Sequence, residues 1–152
     1  MQEMNKKLNC VLLVDDDFAT NFINKKIILK TNLTEYIQVA LNGKEAIEYL
    51  CKQGKFESTD DNEYPSPQLI LLDINMPVMD GWEFIEEYKN LNLENKENII
   101  VVMLSSSFNP ADRAKAESIK EISAFNQKPM NKEALLEIFE KAFPGLIGEN
   151  IS

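Results

Sequence analysis

The chain has 152 residues, enough for one domain with a real hydrophobic core and no need of disulfides or a structural metal. Sixteen basic side chains against twenty-five acidic ones give a net charge of −9, which argues against nucleic acid as a direct partner. There is no histidine, which removes histidine–metal sites, Ser–His and Cys–His nucleophile pairs and any role as a phosphohistidine carrier.

In chain order, the polar segment Met1 to Asn9 leads into Cys10–Val14, a continuous apolar run typical of a strand buried on both faces. Asp15-Asp16-Asp17 follow, and Asp17 stands where a helix N-cap is expected. Phe22, Ile23 and Ile27, with Leu29 as a looser fit, recur at helical spacing and predict the inward face of a first helix. Tyr36–Leu41 reads as a second strand and Gly43–Gln53 as a second helix, with Ala46, Ile47, Leu50 and Cys51 on one face. Residues 54–67 carry Glu57, Asp60, Asp61 and Glu63 and close on Pro65-Ser66-Pro67. That is a long acidic connection, read as a mobile surface loop. Leu69–Leu72 is a third strand ending at Asp73. Met76-Pro77 to Asp80-Gly81 is turn chemistry leading to a third helix marked by Phe84, Ile85, Tyr88 and Leu91. Ile99–Leu104 is a fourth strand ending in Ser105-Ser106-Ser107. Asn109-Pro110 opens a fourth helix as N-cap and first helical residue. Ile122–Asn126 is a short fifth strand running into Lys128-Pro129, and a last helix from about Asn131 turns Leu135, Ile138, Phe139 and Ala142 inward.

Alternating strands and helices imply βαβ crossovers. The predicted fold is α/β: a doubly wound, five-stranded parallel sheet, flavodoxin-like, with helices on both faces and strand order 2-1-3-4-5. Cys10 and Cys51 read as small buried thiols. No apolar run is long enough to span a bilayer, so no membrane partner is expected and the cytoplasm is the default location.

Chemistry enters through the strand ends. In an open parallel sheet the carboxyl ends share one edge, and order 2-1-3-4-5 brings the first and third strands side by side. Asp15 and Asp16 then meet Asp73 across that crevice. Three converging carboxylates repel unless a cation joins them, and an all-oxygen set without histidine or cysteine suits Mg²⁺. A lysine and a serine hydroxyl at the same edge complete a set able to stabilise in-line phosphoryl transfer.

The segments VLLVDDD, LLDINMPVMDG, VVMLSSS and NQKP, in that order, resemble the receiver domains of two-component response regulators. The resemblance covers roughly residues 9–143, leaving tails at 1–8 and 144–152. It implies that Asp73 is the phosphoacceptor, that Asp16 ligates Mg²⁺ directly, and that Asp15 acts mostly through a bound water. Mn²⁺ could substitute for Mg²⁺. It further implies the backbone carbonyl of Asn75 as a metal ligand, Lys128 and Ser105 as partners of phosphoryl oxygens, and a cis Lys128–Pro129 bond. Phe125 falls at the family's aromatic switch position. Ser105 stands where threonine is common, and Phe125 lacks the hydroxyl of the usual tyrosine.

The implied function is a single-domain bacterial response regulator without enzymatic turnover of its own. Its phosphodonor would be a sensor histidine kinase or a histidine phosphotransfer protein. An unidentified downstream protein would read the face made by the fourth helix, fifth strand and fifth helix. Two alternatives stand beside it. One is a non-phosphorylated interaction module on the same fold. The other is a haloacid-dehalogenase-like phosphatase, which needs a second acid two positions after the nucleophile, where this chain has Asn75. Trp82, next to the acidic loop, reads as a packing residue.

Overall fold

The computed structural model describes residues 7–58, 63–107 and 109–144. Five strands, β1 (Val11–Val14), β2 (Ile37–Ala40), β3 (Leu69–Asp73), β4 (Ile100–Ser105) and β5 (Ala124–Gln127), form one parallel sheet in the order β2-β1-β3-β4-β5. Between and after them run α1 (Phe18–Thr31), α2 (Gly43–Cys51), α3 (Gly81–Lys89), α4 (Pro110–Glu117) and α5 (Lys132–Ala142). Fold class and strand order are those predicted. Among the described residues no helix is long and apolar enough to cross a membrane.

The continuous apolar strands are explained by a core on each side of the sheet. Leu12, Val14, Ile70, Leu72 and Met103 pack under α2, α3 and α4, against Tyr49, Phe84, Ile85 and Tyr88. Their sequence neighbours Val11, Leu13, Leu69, Leu71, Val102 and Leu104 point the other way, against Ile28 of α1 and Leu135, Ile138 and Phe139 of α5. Successive side chains of a strand leave opposite faces, so a strand covered on both sides must be apolar throughout.

Helix starts follow local capping. Asn42, Asn109 and Asn131 accept backbone N–H bonds from Glu45, Ala111 and Ala134, and Asp80 forms a reciprocal capping box with Glu83. Asp17 does sit at the N-cap of α1, but its carboxylate accepts from the Thr20 hydroxyl at 2.5 Å instead of from a helix N–H.

Two expectations are corrected. The inward face of α1 is Asn21, Asn24, Ile28 and Thr31, whereas Phe22, Ile23 and Leu29 are about half exposed and Phe18 is 80% exposed. In α2, Tyr49 is fully buried and Ile47 only partly, and the helix stops at Cys51. Cys51, expected buried, is half-buried.

The described ends of the 54–67 connection are also anchored, contrary to a freely mobile loop. Phe56 is buried, and its ring packs edge-on against Tyr49 and Tyr64 at 5.0 and 5.4 Å. Tyr49 donates to the Pro65 carbonyl at 2.5 Å, Tyr36 donates to Glu63 O at 2.9 Å, and Lys52 donates to Tyr64 O. Asp60 and Asp61 lie outside the described residues, as do residues 1–6 and 145–152 of the expected tails.

Candidate functional site

At the carboxyl edge of the sheet, β1 delivers Asp15 and Asp16, β3 delivers Asp73, β4 ends at Ser105, and the segment after β5 brings Lys128. Candidate ligand oxygens of Asp15, Asp16 and Asp73 all lie within 4.8 Å of one another. Asp15 and Asp73 are buried and Asp16 is exposed. Lys128 Nζ stands between the two buried carboxylates, 2.6 Å from Asp15 Oδ2 and 3.0 Å from Asp73 Oδ1. The Lys128–Pro129 peptide is cis.

The electrostatics follow from that crowding. Burial pushes the Asp73 carboxyl above its ordinary range. The Lys128 hydrogen bond opposes this, and the charges of Asp15 and Asp16 reinforce it. For Lys128, burial works against the ammonium, but Asp15 and Asp73 more than offset it and the group is raised. Asp15 is further committed, because its second oxygen accepts the Asp17 N–H at 2.9 Å. One cation thus serves two buried anions, with a third carboxylate at the rim. The donor set is all oxygen, partly buried and open on the Asp16 side, which fits a hard divalent ion.

The remaining sequence-derived candidates fall around this centre with different degrees of contact. Ser105 is buried, and its hydroxyl donates to the Ser107 carbonyl at 2.8 Å and accepts the Ser107 N–H at 3.2 Å. Its hydroxyl is therefore tied to the loop after β4. Asn75 is exposed just beyond β3. Phe125 is half-buried on β5, paired with Met103 of β4. Met103 and Ser105 are two positions apart on β4, so Phe125 and Ser105 share a face of the sheet.

Several supporting residues were not singled out from sequence. Asn21, 5% exposed, donates through Nδ2 to the Asp15 carbonyl at 2.8 Å, and its Oδ1 has no hydrogen-bond partner among the described residues. The signal was there: an amide six positions after the first aspartate, on the face of α1 that turns back toward it. Gly81 lies so close that a Cβ would stand 2.5 Å from the Asp73 carbonyl oxygen, and its N–H donates to Ile74 O at 2.8 Å. A glycine after an aspartate looked only like a turn signal. Val78, in the same loop, has φ +69°, inside a three-residue turn closed by Met79 N–H to Pro77 O at 2.7 Å. Trp82 is half-buried with Lys115 Nζ 4.3 Å over its ring, which ties α3 to α4.

The chain is similar to known proteins of one family. The family model for the response regulator receiver domain matches residues 11–140. The response regulator Rcp1 of Synechocystis is 31% identical over 112 residues, covering 74% of this chain and 71% of Rcp1. A crystal structure of a two-component response regulator from Cytophaga hutchinsonii superposes with a TM-score of 0.76 at 36% identity, over 90% of this chain and 98% of that one. The structure of the Mn²⁺-bound form of Rcp1 gives a TM-score of 0.66 at 29% identity, over 87% and 91% of the two chains.

Proposed function

This chain belongs to the response regulator receiver domain family, and on that footing we propose that it is a phosphorylation-dependent signalling module whose phosphoacceptor is Asp73. The observation that carries the reading is the meeting of Asp15, Asp16, Asp73 and Lys128 at one sheet edge, with the Asp73 carboxylate held 3.0 Å from the ammonium. A lone buried acid would need no such surroundings.

The donor is a phosphohistidine on a histidine kinase or a histidine phosphotransfer protein, since this chain has no histidine of its own. A carboxylate oxygen of Asp73 attacks phosphorus, an O–P bond forms, the P–N bond breaks, and the imidazole leaves with the electron pair. Asp73 needs no general base, because it attacks as the anion. The obstacle is the meeting of two anions, and the chain answers it by positioning. Lys128 is already aimed at the carboxylate and can follow a phosphoryl oxygen. The Ser105 hydroxyl becomes a second donor once it leaves the Ser107 carbonyl. Asp16, exposed at the edge, and Asp73 would hold a divalent cation together with the Asn75 carbonyl. Asp15, whose oxygens already accept from Lys128 and Asp17, would act on it through a water. Bound there, Mg²⁺ or Mn²⁺ supplies Lewis-acid charge that offsets the repulsion. The Mn²⁺ reported with Rcp1 supports an ion of this class.

The donor protein meets an apolar rim. Phe18 begins α1, two residues after Asp16, and Val78 lies in the loop after Asp73; they are 80% and 76% exposed. Output passes through α4, β5 and α5 to a downstream protein, in the cytoplasm. The test is incubation with Mg²⁺ and acetyl phosphate, followed by mass spectrometry of the intact chain and its peptides. A single hydroxylamine-labile adduct on Asp73, absent in Asp73→Asn, is the expected result. Rapid multiple turnover would point to a phosphatase, and no adduct to an inert interaction module.

A further inference from the structure

Arg113, the only arginine of the chain, sits on α4 with its guanidinium carbon 5.3 Å from the centre of the Phe125 ring. Glu117, one turn on, lies 3.7 Å from the same guanidinium and steers it without burying it, since the arginine side chain is half exposed. On the solvent side, α4 and β5 enclose a groove of about 160 Å³ lined by Ser107, Asn109, Pro110, Arg113, Phe125 and Gln127. On the other side, Phe125 shares a sheet face with Ser105, whose hydroxyl is tied back to Ser107.

At the aromatic switch position that the family resemblance implies for Phe125, the ring turns between the groove and the Ser105 side, and a phenyl ring has no hydroxyl with which to fix itself in either place. What holds it on the groove side must act on the ring face, and a planar guanidinium does so by cation–π attraction. From this geometry we propose that Arg113 is a positioning residue that acts through Phe125: its guanidinium retains the ring at the groove while Ser105 is bound to the loop, and it releases the ring when the Ser105 hydroxyl turns toward a phosphoryl group. The inference rests on the phosphoacceptor reading of Asp73 and adds to it a named element that sets the resting population. A contact made in only one of two states shifts the equilibrium by its own strength. Deleting it therefore favours the phosphoryl-bound arrangement. At a half-exposed site the attraction corresponds to about a two- to fivefold change in that equilibrium.

The experiment uses the full chain carrying 4-fluorophenylalanine, with the Phe125 resonance assigned through Phe125→Leu, in wild type, R113M and R113K. Two quantities are read: the ¹⁹F shift of Phe125 without phosphoryl ligand, and the affinity for the trifluoroberyllate anion, a tetrahedral phosphoryl mimic, in Mg²⁺. In R113M, which keeps the aliphatic stem, the resonance moves toward its mimic-bound position and affinity rises about two- to fivefold. R113K keeps the charge without the planar face and falls between. In Phe125→Leu the R113M change gives no further gain. An unmoved resonance, or equal affinity in wild type and R113M, overturns the proposal. Failure of the wild type to bind the mimic removes the phosphoacceptor reading, and this inference with it. That outcome is told apart from failure of the Arg113 role alone, in which the wild type binds and R113M binds equally.

Discussion

Replacing Asp73 by asparagine should make the metal-free protein more stable while removing its chemistry. The shape is kept and one charge is deleted from a buried cluster. At an effective dielectric of about 20, the 3.0 Å contact with Lys128 favours the carboxylate by about 5 kcal/mol. Against it, an Asp15 oxygen within 4.8 Å repels by at least about 3.5 kcal/mol. Asp16 adds a smaller, solvent-screened share, and burial of the carboxylate adds a desolvation cost. Attraction and repulsion nearly cancel, so desolvation decides the sign, and the net penalty is about 1–2 kcal/mol. In Asp73→Asn, Lys128 keeps its 2.6 Å bond to Asp15 and remains paired. Urea unfolding at neutral pH, low salt and with chelator, followed through Trp82, should show the midpoint rising by about 0.5–1 M for the mutant. Mg²⁺ should stabilise wild type more than the mutant, which has lost a ligand. A metal-free mutant equal to or less stable than wild type would refute the electrostatic account of the site.

The same variant carries a pH signature. The Asp73 carboxyl is raised in the folded state, so folding tightens its proton. The stability tied to it is complete below the ordinary value of 3.8 and is lost as pH climbs through the raised one. The gap between Asp73→Asn and wild type should therefore be widest near neutrality and close as pH falls toward 4. Lys128, also raised, contributes stability that is present at neutral pH and lost only above its ordinary 10.5.

Two further substitutions test the supports of the site, and a third tests the far end of α3. Gly81→Ala places a methyl against the Asp73 carbonyl and the Ile74 Cα, both backbone. It should cost about 1–3 kcal/mol in urea melts and slow adduct formation on Asp73. Val78→Asn relieves a β-branched residue at φ +69° and should raise stability by about 1 kcal/mol, read as a higher thermal midpoint. Lys96 donates to the carbonyls of Tyr88, Lys89 and Leu91 at 2.7, 3.1 and 2.9 Å, closing the end of α3. Lys96→Met should cost about 1–2 kcal/mol and speed amide exchange at Tyr88–Leu91.

The sheet was legible because strands buried on both faces leave an unbroken apolar trace, and the site because each acid closes such a trace. The first helix misled for a physical reason. Its apolar residues Phe22 and Ile23 face outward, while the polar Asn21 is buried because it holds the Asp15 carbonyl. Thr31 tolerates burial by donating to Ile28 O at 2.6 Å. Periodicity ranks residues by transfer from water, and a polar group with an internal partner escapes that ranking. Tyr49 escaped likewise: its ring fills the core while its hydroxyl finds Pro65. The acidic connection looked solvated because its charges are visible in sequence, and the aromatic contacts that anchor Phe56 and Tyr64 are not.

These features bear on one another. A cluster that costs stability when empty gains the most when a cation or phosphoryl group arrives, because relief of repulsion adds to each new contact. Had Asp16 been paired as tightly as Asp15, a ligand would have little to relieve. The free energy liberated at Asp73 has a short route outward: Lys128 follows β5 directly, and Ser105 ends β4 on the face that carries Phe125. With Arg113 retaining that ring, the coupling is set by two opposed quantities, the repulsion among three carboxylates and the hold of one guanidinium. Strengthening the hold should raise the phosphoryl occupancy needed for output, and weakening it should lower that occupancy, with Asp73 itself untouched.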